Sequence, residues 1–290
     1  MGYAAGAAFA GPLSETFGRN AVYISTLFIF MAFIMASALA PNIASQLTFR
    51  FFAGAFGSTP LTCAGGSISD MWSSIEKTFA FPLFAILGFG GPVLGPVIAS
   101  YVINLGSWRW AEWIVLIIAT LVLALVLLFQ PETFPPLLLK WKAEHLRAET
   151  GDDRFRAETE IISTSLASQL KVALTRPVLF ITEPIVLLMA LYLTVLYIVL
   201  FTFLDGYSHI FHDVYKTSQG LTNVIFTAMF CGILLAGLLV PWMYTLTKAS
   251  FAKNAFVPEI RLWFAMLGAP AIPISLFWMA WTDFVSIMHN

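Results

Sequence analysis

The chain has 290 residues, of which 59% are hydrophobic and 11% are charged, and its mean hydropathy is +0.84. Soluble domains are about 45–50% apolar and about 25% charged, so this composition excludes a soluble globular domain. The 15 basic and 16 acidic residues give a net charge of −1, which excludes a basic nucleic-acid-binding surface. Both cysteines, Cys63 and Cys231, lie within apolar runs, and we expect small buried side chains rather than a disulfide or a metal pair.

Seven apolar runs are long enough to cross a lipid bilayer as helices, which requires about 20 residues. They cover roughly 21–40, 45–68, 79–103, 110–129, 178–204, 220–244 and 261–281. The runs are continuous rather than alternating, and backbone polar groups in lipid must be satisfied internally. The sequence therefore predicts an all-α polytopic transmembrane bundle. Residues 1–13 are also apolar but short, and they predict the tail of an eighth span that would begin before residue 1.

The basic residues predict how the bundle is oriented. If successive spans alternate in direction, 12 of the 15 Lys and Arg residues fall in one set of connections, and the positive-inside rule places that set in the cytosol. These connections are 14–20, 69–78, 130–177 and 245–260 with the adjoining Arg261. The predicted organisation is a transmembrane bundle at 1–129, a cytoplasmic central loop at 130–177 and a second bundle at 178–290.

The central loop is the one long hydrophilic segment, and its charges are balanced. Glu144 and Ala148, or Glu158 and Ile162, fit amphipathic turns that would run along the membrane surface. A solvated linker between two bundles is the simpler interpretation, and a regulatory or docking segment is the alternative.

A short turn, GPLSETFGRN, begins at Gly11 and precedes the run at 21–40. Its acidic and basic residues, Glu15 and Arg19, are four apart and fit a latch between helix ends, although an ordinary charged loop would have the same composition. The turn resembles the G-x-L-x-D-x-x-G-R-[RK] signature of the major facilitator superfamily, between that family's second and third helices. The matching positions are Gly11, Leu13, Gly18 and Arg19. Glu15 replaces the aspartate, and Asn20 replaces the second base.

Arg50 lies inside a predicted span and is followed by Gly54. A charge within a span usually faces a cavity or a partner, although an arginine near the outer end could also reach water. Arg50-Phe-Phe-Ala-Gly54 resembles the R-x-x-x-G motif of the fourth helix of the family. The resemblance implies that Arg50 takes part in proton coupling.

The run at 79–103 contains the string Gly91-Pro92-Val93-Leu94-Gly95-Pro96. Its glycines and prolines predict a bend and a close helix contact, and packing alone would account for them. The string resembles the fifth-helix signature of antiporters, G-x(8)-G-x(3)-G-P-x(2)-G. Its core is matched by Gly91, Gly95 and Pro96, whereas Pro82 and Ala99 occupy the flanking glycine positions.

Further strings, including Trp108-Arg109-Trp110 and Pro131-Glu132-Thr133, resemble fungal drug:proton antiporters of the twelve-helix type, which export polyamines, azoles or toxins. The resemblance implies two bundles around a central cavity and proton-driven efflux of a small organic molecule. It also implies a monomer in the plasma membrane, with the proton gradient as the driving force and no bound cofactor. The chain would correspond to the second through ninth helices. The alternatives are an uptake facilitator for a sugar or another nutrient, and a non-transporting remnant.

The span at 178–204 corresponds to a cavity-lining helix of the family, and aromatic rings can hold flat or cationic molecules there. The substrate-cavity candidates are Tyr192, Tyr197, Phe201 and Phe203. The acids near span ends, Glu112, Glu183, Asp205 and Asp283, are interpreted as structural, with Glu112 paired to Arg109. The string His209-x-x-His212-Asp213 has no evident third ligand, so no metal site is expected.

Overall fold

The computed structural model of the chain describes residues 1–102, 106–161, 179–208, 226–252 and 262–282, together with single positions between these ranges. Within these residues the chain forms thirteen α-helices and no strand, which confirms the predicted all-α class. The helices are α1 (Gly2–Phe17), α2 (Arg19–Ala38), α3 (Ile43–Gly57), α4 (Thr59–Met71), α5 (Lys77–Val102), α6 (Arg109–Phe129), α7 (Pro135–Thr150), α8 (Glu158–Ile161), α9 (Pro184–Ser208), α10 (Phe226–Leu238), α11 (Val240–Ala252), α12 (Leu262–Gly268) and α13 (Ala271–Thr282).

Five helical segments in the described part of the chain are long and apolar enough to cross a membrane. They are Arg19–Ala38, Lys77–Ala99, Arg109–Phe129, Pro184–Leu204 and Phe226–Phe251. Each of them overlaps one of the predicted runs, so the structure agrees with the membrane-spanning interpretation at these places.

Three of the predicted runs are divided rather than continuous. The run at 45–68 forms α3 and α4, the run at 220–244 leads into α10 and α11, and the run at 261–281 forms α12 and α13. Pro60, Pro241 and Pro270 lie at these divisions. A proline has no amide hydrogen and its ring clashes with the preceding turn, so each division has a local cause.

The chain consists of two units, defined by the contacts that the helices make. The first comprises Met1–Met71 and Leu105–Met189, and the second comprises Trp72–Asn104 and Ala190–Asn290. These units do not follow the predicted division at 129 and 177, because α5 packs against α10 and α11. The predicted division into two bundles stays a prediction.

In the first unit, α2 packs against both α3 and α6, and α1 packs against α3 and α4. Small buried residues allow these close approaches, among them Ala10, Ala38, Ala53 and Cys63. In the second unit, Val93 of α5 and Phe226 of α10 are the buried centre. Neither cysteine is in a disulfide, and only Cys63 is buried, so the expectation of burial is wrong for Cys231.

Candidate functional site: charge networks at the two ends of the first unit

The helices of the first unit meet at two ends. At one, the Gly18 end, α1, α4 and α6 terminate and α2 begins; at the other, the Asn42 end, α2 terminates and α3 and α6 begin. Each end holds a cluster of charged side chains, and among the charged residues singled out from the sequence these clusters contain Arg19, Arg50, Arg109 and Glu112.

Arg19, the first residue of α2, is the centre of the cluster at the Gly18 end and is only 6% exposed. Its Nε and Nη2 atoms lie 3.3 and 3.2 Å from Oδ2 of Asp70, the acid at the end of α4. Its Nη1 donates to Oγ of Ser14, and the guanidinium lies 5.3 Å from the ring centroid of Phe134. The suggested latch to Glu15 is wrong, because Arg19 pairs with Asp70 while Glu15 stays exposed. Asp70 itself was not among the predicted site residues.

Glu132, which follows α6, caps the start of α2. Its Oε1 accepts hydrogen bonds from the backbone amides of Arg19, Thr133 and Phe134 at 3.0, 2.9 and 2.9 Å. Its Oε2 accepts from the amide of Asn20 at 3.1 Å. A carboxylate at a helix N-terminus satisfies unpaired amides and is favoured by the helix dipole. Glu132 therefore joins the end of α6 to the beginning of α2.

Two glycines make room for this cluster. Gly18 has φ 94° and ψ 157°, and a Cβ placed there would lie 2.5 Å from Oε2 of Glu132 and 2.6 Å from Cδ2 of Leu137. A Cβ on Gly66 of α4 would lie 2.5 Å from Nη2 of Arg19. Gly11, by contrast, has nothing within 4 Å of an added Cβ, and Leu13 is partly buried. The glycine of the turn that the packing requires is thus Gly18.

The cluster at the Asn42 end is built on Arg50 of α3 and Glu112 of α6. Nε of Arg50 donates to Oε1 of Glu112 at 3.0 Å, and Nη2 contacts the same oxygen. The Glu112 side chain is 7% exposed, whereas that of Arg50 is 55% exposed. Oγ of Ser37 at the end of α2 lies 3.5 Å from Glu112 Oε1. A half-exposed arginine and a buried acid of two different helices are therefore paired near the Asn42 end of the unit.

The expected pairing of Glu112 with Arg109 is wrong. Arg109 instead donates from Nε to the carbonyl of Ala38 at 3.0 Å and from Nη2 to that of Ala40 at 3.4 Å. The last carbonyls of a helix have no partner within the helix, and a positive charge there is favoured by the dipole. Arg109 thus caps α2, and Glu112 forms its ion pair with Arg50 instead.

The aromatic candidates lie on α9 in the second unit, but they do not share one surface. The rings of Tyr197 and Phe201 stack with centroids 6.2 Å apart, and Phe89 of α5 lies 6.1 Å from Tyr197. Phe203 instead packs edge-on against Phe226 at 6.3 Å. Tyr192 is 38% exposed. Their role in substrate binding stays a prediction.

Two apolar cavities adjoin α9 within the second unit. One, of about 260 Å³, is lined by Phe89, Val93, Leu193, Leu196, Tyr197, Leu200, Met229 and Ile233. The other, of about 320 Å³, is lined by Ile198, Val199, Thr202, Phe203, Gly206, Leu276 and Met279. Of the four aromatic candidates, Tyr197 belongs to the first lining and Phe203 to the second.

The antiporter-like string lies in the middle of α5, which continues through Pro92 and Pro96. An added Cβ on Gly91 or Gly95 would meet nothing within 4 Å, whereas one on the neighbouring Gly90 would lie 3.6 Å from Phe230. The predicted close contact is therefore wrong for Gly91 and Gly95, and the 3.6 Å distance at Gly90 is an ordinary van der Waals contact. His209, His212, Asp213 and Asp283 lie outside the described residues.

A family model described as the Major Facilitator Superfamily matches residues 1–288. The chain belongs to the major facilitator superfamily. It is therefore a multi-pass membrane protein of a transporter family.

Several fungal transporters of this superfamily are similar to the chain. The MFS-type transporter kojT of Aspergillus flavus is 48% identical over 293 residues, which cover 98% of this chain and 52% of that protein. An uncharacterized transporter of Schizosaccharomyces pombe is 38% identical over 292 residues, covering 99% and 53%. The MFS-type efflux pump MFS2 of Trichophyton rubrum is 39% identical over 289 residues, covering 98% and 48%. The chain thus spans about half the length of these curated relatives. No solved structure matches it.

Arg147 of α7 closes the loop that leads to α8. Its Nη1 and Nη2 atoms each lie 2.8 Å from a carboxylate oxygen of Glu160, and Nη1 also donates to the carbonyl of Phe155. This hydrogen bonding lowers the pKa of Glu160 from 4.5 to about 2. Because the folded-state pKa is the lower one, the clasp stabilises the loop above about pH 4.5 and loses this contribution as the pH falls towards 2.

Pepsin cleavage between residues 151 and 157 measures this dependence. We expect the ratio of the cleavage rate of Glu160→Gln to that of the unmodified chain to be highest near pH 4.5 and to approach one near pH 2. The ratio removes the pH dependence of pepsin itself. A ratio that stays constant over this range would contradict a clasp that depends on the Glu160 carboxylate.

Proposed function

We propose that this chain is part of a proton-coupled exporter of small organic molecules, such as drugs, toxins or polyamines. The family and the similarity to a protein named as an efflux pump support transport out of the cell. The string from Gly91 to Pro96 resembles the signature of antiporters and adds to this support. Because the chain spans about half of each of these relatives, the proposal concerns the whole protein to which this segment belongs.

The observation that carries the proposal is the pairing of Arg50 with Glu112. An ionisable group inside a membrane span is costly, and such groups typically mark ion or substrate pathways. Of these two groups only the carboxylate can carry a proton, because a guanidinium stays protonated in proteins. A carboxylate shared between α3 and α6 can therefore release and take up one proton each time these helices move apart and return.

In this proposal the proton cycle is linked to alternating access, in which bundles rock around a central site. The distribution of basic residues supports a cytosolic Gly18 end and an outer Asn42 end in this proposal. In this cycle Glu112 takes up a proton from the outer side while Arg50 is withdrawn. It releases that proton towards the cytosol when Arg50 returns in the inward-open state, so that each cycle moves one proton inward. The proton gradient supplies the driving force, no bound cofactor takes part, and the protein acts as a monomer in the plasma membrane.

The cavity lined by Phe89 and Tyr197 supports an apolar or flat aromatic substrate. Pockets for such molecules have mostly hydrophobic walls, and aromatic faces also attract cations. Phe201, stacked on Tyr197, extends the aromatic surface. Tyr192 and Phe203 stay candidates for contacts elsewhere along the path.

The proposal is tested by transport in cells that lack their own exporters. Two proteins are expressed, this chain alone and a chimera in which it replaces the matching segment of the Trichophyton rubrum relative. We expect the chimera to export a fluorescent cationic dye and a protonophore to stop the export. If the protonophore does not change the transport rate of a dye or a sugar, the protein is a facilitator instead. If the parent relative exports a panel of dyes and the chimera exports none of them, the export proposal fails.

A further inference from the structure

The first two turns of α7 lie at the level at which two membrane spans of the first unit end. The span of α6 ends at Phe129 and that of α2 begins at Arg19. Leu137 approaches Gly18 so closely that an added Cβ there would lie 2.6 Å from it, and Phe134 lies under the Arg19 guanidinium. The start of α7 is therefore held at the boundary between the apolar spans and the polar connections.

Large apolar side chains are exposed on these two turns. Leu138, Leu139 and Trp141 are 42%, 60% and 50% exposed, whereas Ala143 in the following turn is 8% exposed. A cluster of adjacent large apolar residues is unfavourable in water and marks a surface that meets another phase or partner. Tryptophan is enriched at the interface of membranes, where its ring lies among the headgroups.

The charges along α7 indicate which partner this surface meets. Between residues 135 and 142 the charged residues are Lys140 and Lys142, both basic, and the acids Glu144 and Glu149 come later. Lys140 is 4.0 Å from Glu144, and Lys142 forms no salt bridge with any residue that the structure describes. Lysines beside exposed apolar side chains at a membrane boundary match an anionic lipid surface.

We infer that residues 135–142 lie in the headgroup layer of an anionic leaflet, with Leu138, Leu139 and Trp141 inserted and Lys142 on the lipid headgroups. This lipid contact holds the start of α7 against the membrane and therefore supports the Gly18 turn that Leu137 adjoins. It is independent of the direction of transport and of the substrate.

The inference is tested with one reporter in the full chain. Cys63 and Cys231 are replaced by alanine, Trp141 is replaced by cysteine, and the thiol is labelled with a nitrobenzoxadiazole dye. The protein is reconstituted in vesicles of phosphatidylcholine, with or without phosphatidylserine. We expect a blue-shifted emission, quenching by spin-labelled lipid and loss of quenching by aqueous iodide, all greater with phosphatidylserine.

A matched label at Glu149→Cys, two turns further along α7, provides the control, because that side chain is 62% exposed. It should remain open to iodide in both vesicles. The charge reversal Lys142→Glu should remove the effect of phosphatidylserine at position 141. If the label at 141 is as open to iodide as that at 149, the lipid contact is overturned and the apolar surface belongs to a protein partner. If the label at position 141 is equally protected from iodide with and without phosphatidylserine, the proposed preference for anionic lipid is overturned.

Discussion

Replacing Glu112 with glutamine should abolish proton-driven efflux and leave movement of the substrate down its own gradient intact. Glutamine keeps the length of the side chain and an oxygen for Arg50, but it cannot bind and release a proton. We expect the protonophore-sensitive rate to fall by at least about 100-fold, on the scale that is lost when an enzyme loses a general acid or base. Glu112→Asp keeps a carboxyl group that can carry the proton, but its side chain is one methylene shorter. This variant should therefore transport slowly and stay coupled to the proton gradient.

The variants are compared in the chimera, with energised dye efflux and downhill exchange of the dye measured on the same cells. Downhill exchange reports whether the protein is folded and open to substrate. The matched control is Glu149→Gln, which removes an exposed acid of α7 and should change neither rate. A Glu112→Gln variant that still exports dye in a protonophore-sensitive way would falsify the role of Glu112. Loss of both rates would point to a structural role.

We expect Glu112→Gln to lower the stability of the folded protein only slightly. Removing one member of a fully buried ion pair typically costs about 3–5 kcal/mol, because the other charge is left without a partner. Here the remaining charge is that of Arg50, whose side chain is 55% exposed. Because glutamine still offers an oxygen to the Arg50 guanidinium, we expect the penalty to stay below that range.

The sequence predicted the residues of the Gly18 turn but not the groups that hold them. Gly18 and Arg19 were evident from the motif and from their position between two apolar runs. Their partners Asp70 and Glu132 are 51 and 113 residues from Arg19 along the chain. A local pattern carries no information on which distant acids will meet a buried arginine, and only the packing of α4 and α6 against α2 brings them together.

The pairing at the Asn42 end illustrates a related limit. Arg109 and Glu112 are three residues apart on α6, and this spacing favours a pair on one helix surface. The carbonyls at the end of α2 compete for Arg109, and Arg50 reaches the same carboxylate from α3. Sequence spacing shows which pairs are possible, but it does not show the competing partners on other helices.

The apolar runs predicted where the hydrophobic helices lie better than they predicted which runs form one continuous helix. The sequence contains Pro60, Pro241 and Pro270, but a criterion based on hydrophobicity alone does not detect a helix break at a proline. In the structure each of these prolines lies where one helix gives way to the next. Pro92 and Pro96 are the exception, because α5 continues through both of them.

Replacing Gly18 with alanine is expected to have the largest effect on the stability of the first unit. The backbone at Gly18, with φ 94° and ψ 157°, is in a region that only glycine adopts readily, and strain of this kind costs about 1–3 kcal/mol. The added Cβ would also lie 2.5 Å from Oε2 of Glu132. Displacing this carboxylate removes the cap of α2, at a further cost of about 1 kcal/mol. The thermal unfolding midpoint in detergent, followed by tryptophan fluorescence, should fall accordingly.

The control Gly106→Ala separates the cost of backbone strain from the cost of the steric clash of the added Cβ. Gly106 also has a positive φ, of 112°, but nothing lies within 4 Å of an added Cβ. It should therefore show the cost of the backbone alone and destabilise less than Gly18→Ala. The combination of Gly18→Ala with Glu132→Ala tests the collision itself, since two changes that act through the same contact are not additive. If the carboxylate is what the methyl group displaces, Gly18→Ala should cost less once Glu132 has been removed. A fully additive pair would mean that the methyl group does not displace the Glu132 carboxylate. The cost of Gly18→Ala would then come from the backbone and from the close approach to Leu137.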